Sequence, residues 1–230
     1  MPETSNFNGF SEETVVFLKQ LSANNNKPWF ETHKKEYETF VLQPLKNIVL
    51  DISGTMLAID PFFETRPMIN KTISGVYRDI RFSKDKSPYK TSFWITFKRP
   101  IKEWKDAPAY FFEISPETYR YGMGFYSATP QTMSLFRAAV DERSSDFERV
   151  IAFYAKQKTF TLEGEKYKKI QNDLLPKSIL EWYRRKNFYL VCNRPADNLL
   201  FRPKLTEELE TGFEMLADLY GFLINVKQNS

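Results

Sequence analysis

Apolar residues in the first sixty positions recur at helical spacing. Ser11 followed by Glu12 and Glu13 is an N-cap with acids in the first turn, and Val15, Leu18 and Leu21 continue the stripe until the polar run from Ser22 to Asn26 ends it. Pro28 opens a second helix in which Trp29, His33, Tyr37 and Val41 follow at intervals of four. Pro44 restarts the helix, and Leu45, Ile48, Ile52 and Met56 carry the apolar face onward.

After Asp60 the period changes. A short extended piece is expected from Met68 to Ile73. The stretch TSFWITFK, 91–98, alternates, with Phe93, Ile95 and Phe97 on one face and Ser92, Trp94, Thr96 and Lys98 on the other, as a strand requires. AYFFEIS (109–115) and TYRYGMG (118–124), joined through Ser115-Pro116-Glu117, complete an antiparallel meander over 91–124. Thr129 before Pro130 caps a helix carrying Met133, Phe136 and Val140, and Ser145 opens another with Phe147, Val150, Ile151 and Tyr154. Short strands at 160–162 and 188–192 flank a helix over 176–186. One last helix, 206–223, places Leu209, Phe213, Leu216, Leu219, Tyr220 and Leu223 on its apolar side. Helices, then strands, then helices, without βαβ alternation, predict an α+β fold. No repeat or linker divides the chain, so a single domain over 1–230 is expected.

Composition narrows the class. Hydrophobic residues make up 42% of the 230 and aromatics 16%, enough for a globular core. The lone Cys192 excludes an intramolecular disulfide and any zinc site needing two thiolates, and reads as a small core residue. MPETSNFNGF lacks the basic and apolar regions of a signal peptide, and no apolar run reaches the roughly 18 residues of a membrane span. A soluble cytoplasmic protein with no membrane contact is therefore expected. The net charge of +4 is unevenly spread: residues 78–99 carry seven Lys/Arg against two Asp, and 156–186 carry nine against four acids.

The first basic region contains YRDIRFSKDKSPYK, residues 77–90, where candidate chemistry concentrates. Arg78 and Arg81 are the residue type that clamps phosphate or carboxylate through two parallel hydrogen bonds; Lys86 and Lys90 would add point charges, and Ser83 and Tyr89 hydroxyl donors. Asp79 and Asp85 would orient the cations, and Asp79 or Tyr89 is the candidate for catalysis. The competing reading is an ion-pair network in which the two aspartates hold their basic neighbours. Five cations against two acids leave about three uncompensated, and Phe82, Pro88 and Tyr89 are expected to pin the loop to the core. A small phosphate- or carboxylate-bearing ligand is the expected partner, and whether any reaction is catalysed stays open.

Other signals are weaker. His33, the single histidine, would have to meet Cys192 or a serine to serve as a base, and its place on an apolar stripe favours a core role. No cysteine or histidine spacing matches a metal site, so no metal is expected, and the sequence names no cofactor and no oligomeric state. Gly122 and Gly124 in YGMGFYS superficially suggest a dinucleotide-binding turn, but a meander is the wrong context, and a bulge or close backbone approach fits better. The second basic region mixes Tyr167, Trp182 and Tyr183 with Lys168, Lys169, Arg184, Arg185 and Lys186. Basic residues among aromatics are what single-stranded nucleic acid needs. Here core packing of Trp182 and Tyr183 and cations at a helix end are the simpler account, which disfavours nucleic acid. A non-enzymatic module contacting a protein or nucleic acid through both basic regions is the alternative to a small-ligand site.

NNNKPWF, Tyr37 and Pro44, the RD-x-RFS-x-DK-x-PYK core, YGMGFY, the helix with Arg137 and the late WYRRKNFYL together resemble the bacterial and fungal family known as domain of unknown function 2461. The resemblance covers nearly the whole chain. It implies that Arg78, Asp79, Arg81, Phe82, Asp85, Lys86 and Tyr89 are hallmark residues, and it implies no activity, substrate or cofactor. The sequence departs from the resemblance at Gly75, where a further arginine is expected, and Arg120 or Arg137 would then supply the missing cation.

Overall fold

Proline 44 does not break the helix it interrupts. The computed structural model describes residues 6–168 and 175–228. In it α1 (Glu12–Ala23) is followed by α2 (Lys27–Glu36), a π-helical turn (Tyr37–Leu42) and α3 (Gln43–Ile59), so the chain stays helical from 27 to 59. The expected restart at Pro44 is corrected, and the reason is local. A proline inside a helix removes one hydrogen bond, and its ring crowds the carbonyl four residues back, here that of Phe40. The wider π turn makes room, and the buried hydroxyl of Thr14 on α1 donates to the Phe40 carbonyl at 2.7 Å. Asn26 caps α2 by accepting the Trp29 N–H at 3.1 Å.

Five antiparallel strands make one sheet: β1 (Phe93–Phe97), β2 (Pro108–Ile114), β3 (Thr118–Phe125), β4 (Thr161–Glu163) and β5 (Tyr189–Pro195), in the order β1-β2-β3-β5-β4. The predicted meander is its first three strands, and β4 joins β5 with Thr161 opposite Val191 and Glu163 opposite Tyr189. Phe93, Ile95 and Phe97 are all buried, as their alternation requires. The extended piece expected at 68–73 reduces to residues 72–74 beside β1: the Thr96 N–H donates to the Thr72 carbonyl at 2.7 Å and the Ser74 N–H to the Trp94 carbonyl at 2.9 Å. Asn70, at φ 64°, turns the chain before it.

The remaining helices are α4 (Pro130–Glu142), α5 (Ser144–Ile151), α6 (Lys177–Tyr183), α7 (Lys204–Met215) and α8 (Ala217–Gln228). The single last helix expected over 206–223 is thus two, separated at Leu216. Its apolar residues are nevertheless all buried, because their spacing runs on across the break. The architecture is α+β, and no helix among the described residues is long and apolar enough to cross a membrane.

The chain divides into two compact units. One comprises Met1–Phe97, Phe111–Tyr121 and Asn193–Thr211; the other Lys98–Tyr110, Gly122–Cys192 and Gly212–Ser230, so β2, β3, β5 and α7 contribute residues to both. In the first, α3 packs on β1, and a run of rings, Phe17, Tyr37, Phe30 and Phe93, fills the space beside the π turn with centroids 5.3 to 6.3 Å apart. In the second, Trp182 stands edge-on to Phe147, Tyr154 and Phe188 at 5.4 to 6.0 Å. Asp106 there accepts from the Thr129 N–H at 2.6 Å, the Thr132 hydroxyl at 2.8 Å and the Lys227 ammonium at 2.6 Å, tying the start of α4 and the end of α8 to one carboxylate. Burial pushes that carboxyl up, but Lys227 and the threonine donors outweigh it and hold it below its ordinary value.

Gly122 and Gly124 serve a close backbone approach by β5. A Cβ at 122 would lie 1.9 Å from the Leu190 carbonyl oxygen, and one at 124 would lie 2.4 Å from the Tyr189 Cα. Two substitutions check this account of the fold by urea unfolding. Thr14→Val, which removes the hydroxyl that donates to the Phe40 carbonyl, is expected to cost about 0.5–1.5 kcal/mol. Gly122→Ala forces β3 and β5 apart and is expected to cost at least about 1–3 kcal/mol. A loss below about 0.5 kcal/mol in either, the range of surface substitutions, contradicts the corresponding constraint.

Candidate functional site

The stretch 77–90 is a hairpin whose base is fixed and whose tip projects into solvent. Tyr77 and Tyr89 face each other in an antiparallel bridge; the Arg78 N–H donates to the Pro88 carbonyl at 2.9 Å and the Lys90 N–H to the Val76 carbonyl at 2.8 Å. Asn25, from the NNN run, clamps Tyr89 from the other side. Its amide oxygen accepts the Tyr89 N–H at 3.0 Å and its amide nitrogen donates to the Tyr89 carbonyl at 2.9 Å, completing both backbone bonds as a neighbouring strand would. The Tyr89 ring is buried and stacks on Phe30 at 4.2 Å, so NNNKPWF and SPYK, far apart in sequence, are one joint.

The charges of the hairpin answer one another. Arg78 donates to Asp85, and Arg81 grips Asp79 with Nε at 2.9 Å and Nη2 at 2.7 Å. Asp85 also accepts from the Ser87 N–H at 2.9 Å and the Ser87 hydroxyl at 2.7 Å. The hydrogen bond from Arg78, then those from Ser87, hold the Asp85 carboxyl well below the usual carboxylate range. Lys86 turns its ammonium onto the Ile80 carbonyl at 2.9 Å. Lys90 donates to the Gly75 carbonyl at 2.7 Å and lies 4.5 Å over the Trp94 ring, where burial lowers its pKa. Ser83 closes a turn through its N–H on the Ile80 carbonyl at 3.3 Å, and Lys84 is exposed. Tyr89 has its phenol pushed up, by burial first and by Tyr77 and Glu31 after it.

One expectation is corrected. Phe82 does not pin the loop to the core: its ring is 95% exposed at the tip, with the Arg81 guanidinium 5.8 Å from its centroid, and Tyr77 is 65% exposed beside the base. Of the two rings expected to pin the loop, Tyr89 does so, because its side of the hairpin faces Asn25 and Phe30. Sequence reasoning treated the NNN run as a helix stop and missed Asn25. The signal available was a side-chain amide, which can satisfy a donor and an acceptor together.

The other candidates sit as follows. His33 stacks on Trp29 at 4.0 Å with Nδ1 2.7 Å from the Trp29 carbonyl, a contact within one helix, and Cys192 is buried in the other unit. Arg120 donates twice to Glu113, at 3.0 and 2.7 Å, and so is already engaged. Among the described residues there is no group of three or more His, Cys, Asp and Glu placed to hold a metal ion. In the second basic region Trp182 and Tyr183 are buried, with the Tyr183 hydroxyl donating to Asp141 at 2.8 Å, while Lys166 and Lys186 pair with Glu181 and Glu165. Lys169 lies outside the described residues.

The sequence profile of a family described as "Conserved hypothetical protein (DUF2461)" matches residues 13–222. The chain belongs to the DUF2461 family. No curated protein matches it. The matched span of this DUF2461 chain takes in the Asn25 clamp, the whole hairpin and the helix carrying Arg137. Gly75, where the resemblance leads one to expect arginine, gives its carbonyl to Lys90, so the base of the hairpin already holds a cation there.

The arginine pairs of the hairpin can be read directly by carboxyl NMR titration. Asp85 is expected to titrate below its ordinary 3.8, and Arg78→Ala to return it toward that value. The sign follows: a depressed folded-state pKa contributes stability that is present above the ordinary value and lost as pH falls through the depressed one. An Asp85 midpoint at or above 3.8 in the unmodified chain contradicts the pairing.

Proposed function

We propose that this DUF2461 chain is a non-enzymatic binding module, and that the 77–90 hairpin is its recognition element for an acidic protein surface. The observation that carries the reading is Phe82, an aromatic ring 95% exposed at the tip of an anchored hairpin and flanked by Arg81 and Lys84. Exposed aromatic and arginine side chains on a rigid support are what protein interfaces use as anchors. The Tyr89 joint holds the base in place before any partner arrives, which lowers the ordering cost of binding.

The small-anion alternative has less geometric support. Arg78 and Arg81 would have to leave Asp85 and Asp79 to clamp a ligand, and Tyr89 is buried where a substrate cannot reach it. Asp79 is engaged by Arg81 at 2.7 Å, which suits an ionised partner better than a proton carrier. A cytoplasmic location belongs to the same reading, since a chain with one cysteine closes no internal disulfide, as a reducing compartment requires of its proteins.

The test is fluorescence anisotropy with a labelled Glu- and Asp-rich peptide, and thermal shift with inorganic pyrophosphate, on the unmodified chain and on Phe82→Ala and Arg81→Ala. The expected result is salt-dependent peptide binding that weakens by about tenfold or more in Phe82→Ala with an unchanged Tm. Peptide binding indifferent to Phe82 overturns the proposal. Pyrophosphate stabilisation lost in Arg81→Ala but kept in Phe82→Ala transfers the hairpin to the small-anion reading.

A further inference from the structure

A second cationic cluster, in the unit that does not contain the hairpin, is built differently. The fold shows what it does with a structural arginine at Arg185: the buried guanidinium donates to the carbonyls of Leu162 at 3.0 Å, Gly164 at 2.6 Å and Glu181 at 3.3 Å. Arg137, on α4 of the same unit, receives no such treatment. Its Nη1 is closed off from solvent with no hydrogen-bond partner, and no carboxylate pairs with it among the described residues. Among the described residues its guanidinium carbon lies 5.5 Å from the centroid of the Tyr167 ring. Leaving a buried donor unmade costs about 1–3 kcal/mol, more for a charged group, so an arginine kept in this condition needs a reason.

Its surroundings supply one. The Lys186 ammonium lies 5.7 Å from the centroid of the same Tyr167 ring, shared with the exposed Glu165 at 3.2 Å. Arg184, whose carbonyl accepts the Tyr167 N–H at 2.8 Å, likewise has a buried Nε without a partner. The segment 156–186 has nine basic residues against four acids, so a ligand brought here meets a positive field. We propose that Arg137 and Lys186, steadied by Tyr167, form a binding site for a small phosphate-bearing ligand. Arg137 supplies the planar fork that takes two phosphate oxygens, and Lys186 supplies a point charge released from Glu165. Packing against Tyr167 fixes the orientation of the fork. The site does not depend on the hairpin or on its partner.

Isothermal titration of the full chain with inorganic phosphate and with pyrophosphate tests the assignment. Saturable binding is expected, with pyrophosphate the tighter, weakened about tenfold or more by Arg137→Gln and less by Arg137→Lys, which keeps charge but loses the fork. Arg149→Gln, an exposed arginine paired with Asp146 on α5, is expected to bind like the unmodified chain. No saturable binding of either anion, or unchanged affinity in Arg137→Gln, overturns the proposal. If Arg137→Gln fails to fold, Lys186→Gln at the exposed position decides, and unchanged affinity there overturns it equally. Binding of a single-stranded oligonucleotide that depends on Arg137, falls steeply with salt and is not displaced by pyrophosphate also overturns it, in favour of nucleic acid.

Discussion

The charged hairpin depends on the two hydrogen bonds between the Asn25 side chain and the Tyr89 backbone. A strand edge standing beside a helix start has an N–H and a carbonyl that water would otherwise satisfy, and burying the Tyr89 ring against Phe30 removes that water. Asn25 restores both bonds at 3.0 and 2.9 Å with a single amide. Ring burial and amide clamp are therefore coupled: neither is tolerable without the other. From this joint the Tyr77 bridge follows, and from the bridge the presentation of residues 79–87 as a projecting loop.

Once the base is held, the loop can satisfy its charges internally. Each aspartate has a nearby arginine, and Lys86 and Lys90 find backbone carbonyls, so most of the surplus cations counted in the sequence are absorbed by main-chain dipoles. Exposed pairs of this kind contribute little to stability. Their consequence is shape, because they hold the loop in one conformation with Phe82 outermost. The same chemistry gives the opposite outcome at Arg137, where a guanidinium rests on an aromatic face and no group among the described residues accepts from its buried Nη1. That contrast, between arginines the fold has satisfied and the partnerless donors of Arg137 and Arg184, is the basis on which a ligand site is proposed there and not at the hairpin.

Most of the elements were legible in the sequence, since they rest on local rules. Alternation in 91–98, the Thr129-Pro130 cap and the i, i+3 and i, i+4 stripes translate directly into a strand and helices. The departures came where a distant group intervened. Pro44 reads as a break until Thr14, thirty residues away, takes over the bond that proline cannot make. The division of the last helix at Leu216 is invisible because the apolar spacing continues through it.

The candidate site divides in the same way. Residue types alone determined that 77–90 would be basic, that its two aspartates could pair with its arginines, and that Tyr89 would join the loop to the core, because charge and apolar area are properties of the side chains themselves. Only the tertiary structure decided that Phe82 faces solvent, that Asn25 is the clamp, and that Arg137 lies unsatisfied against Tyr167. Each of these is set by which surface a side chain meets, and that depends on contacts between segments far apart in the chain.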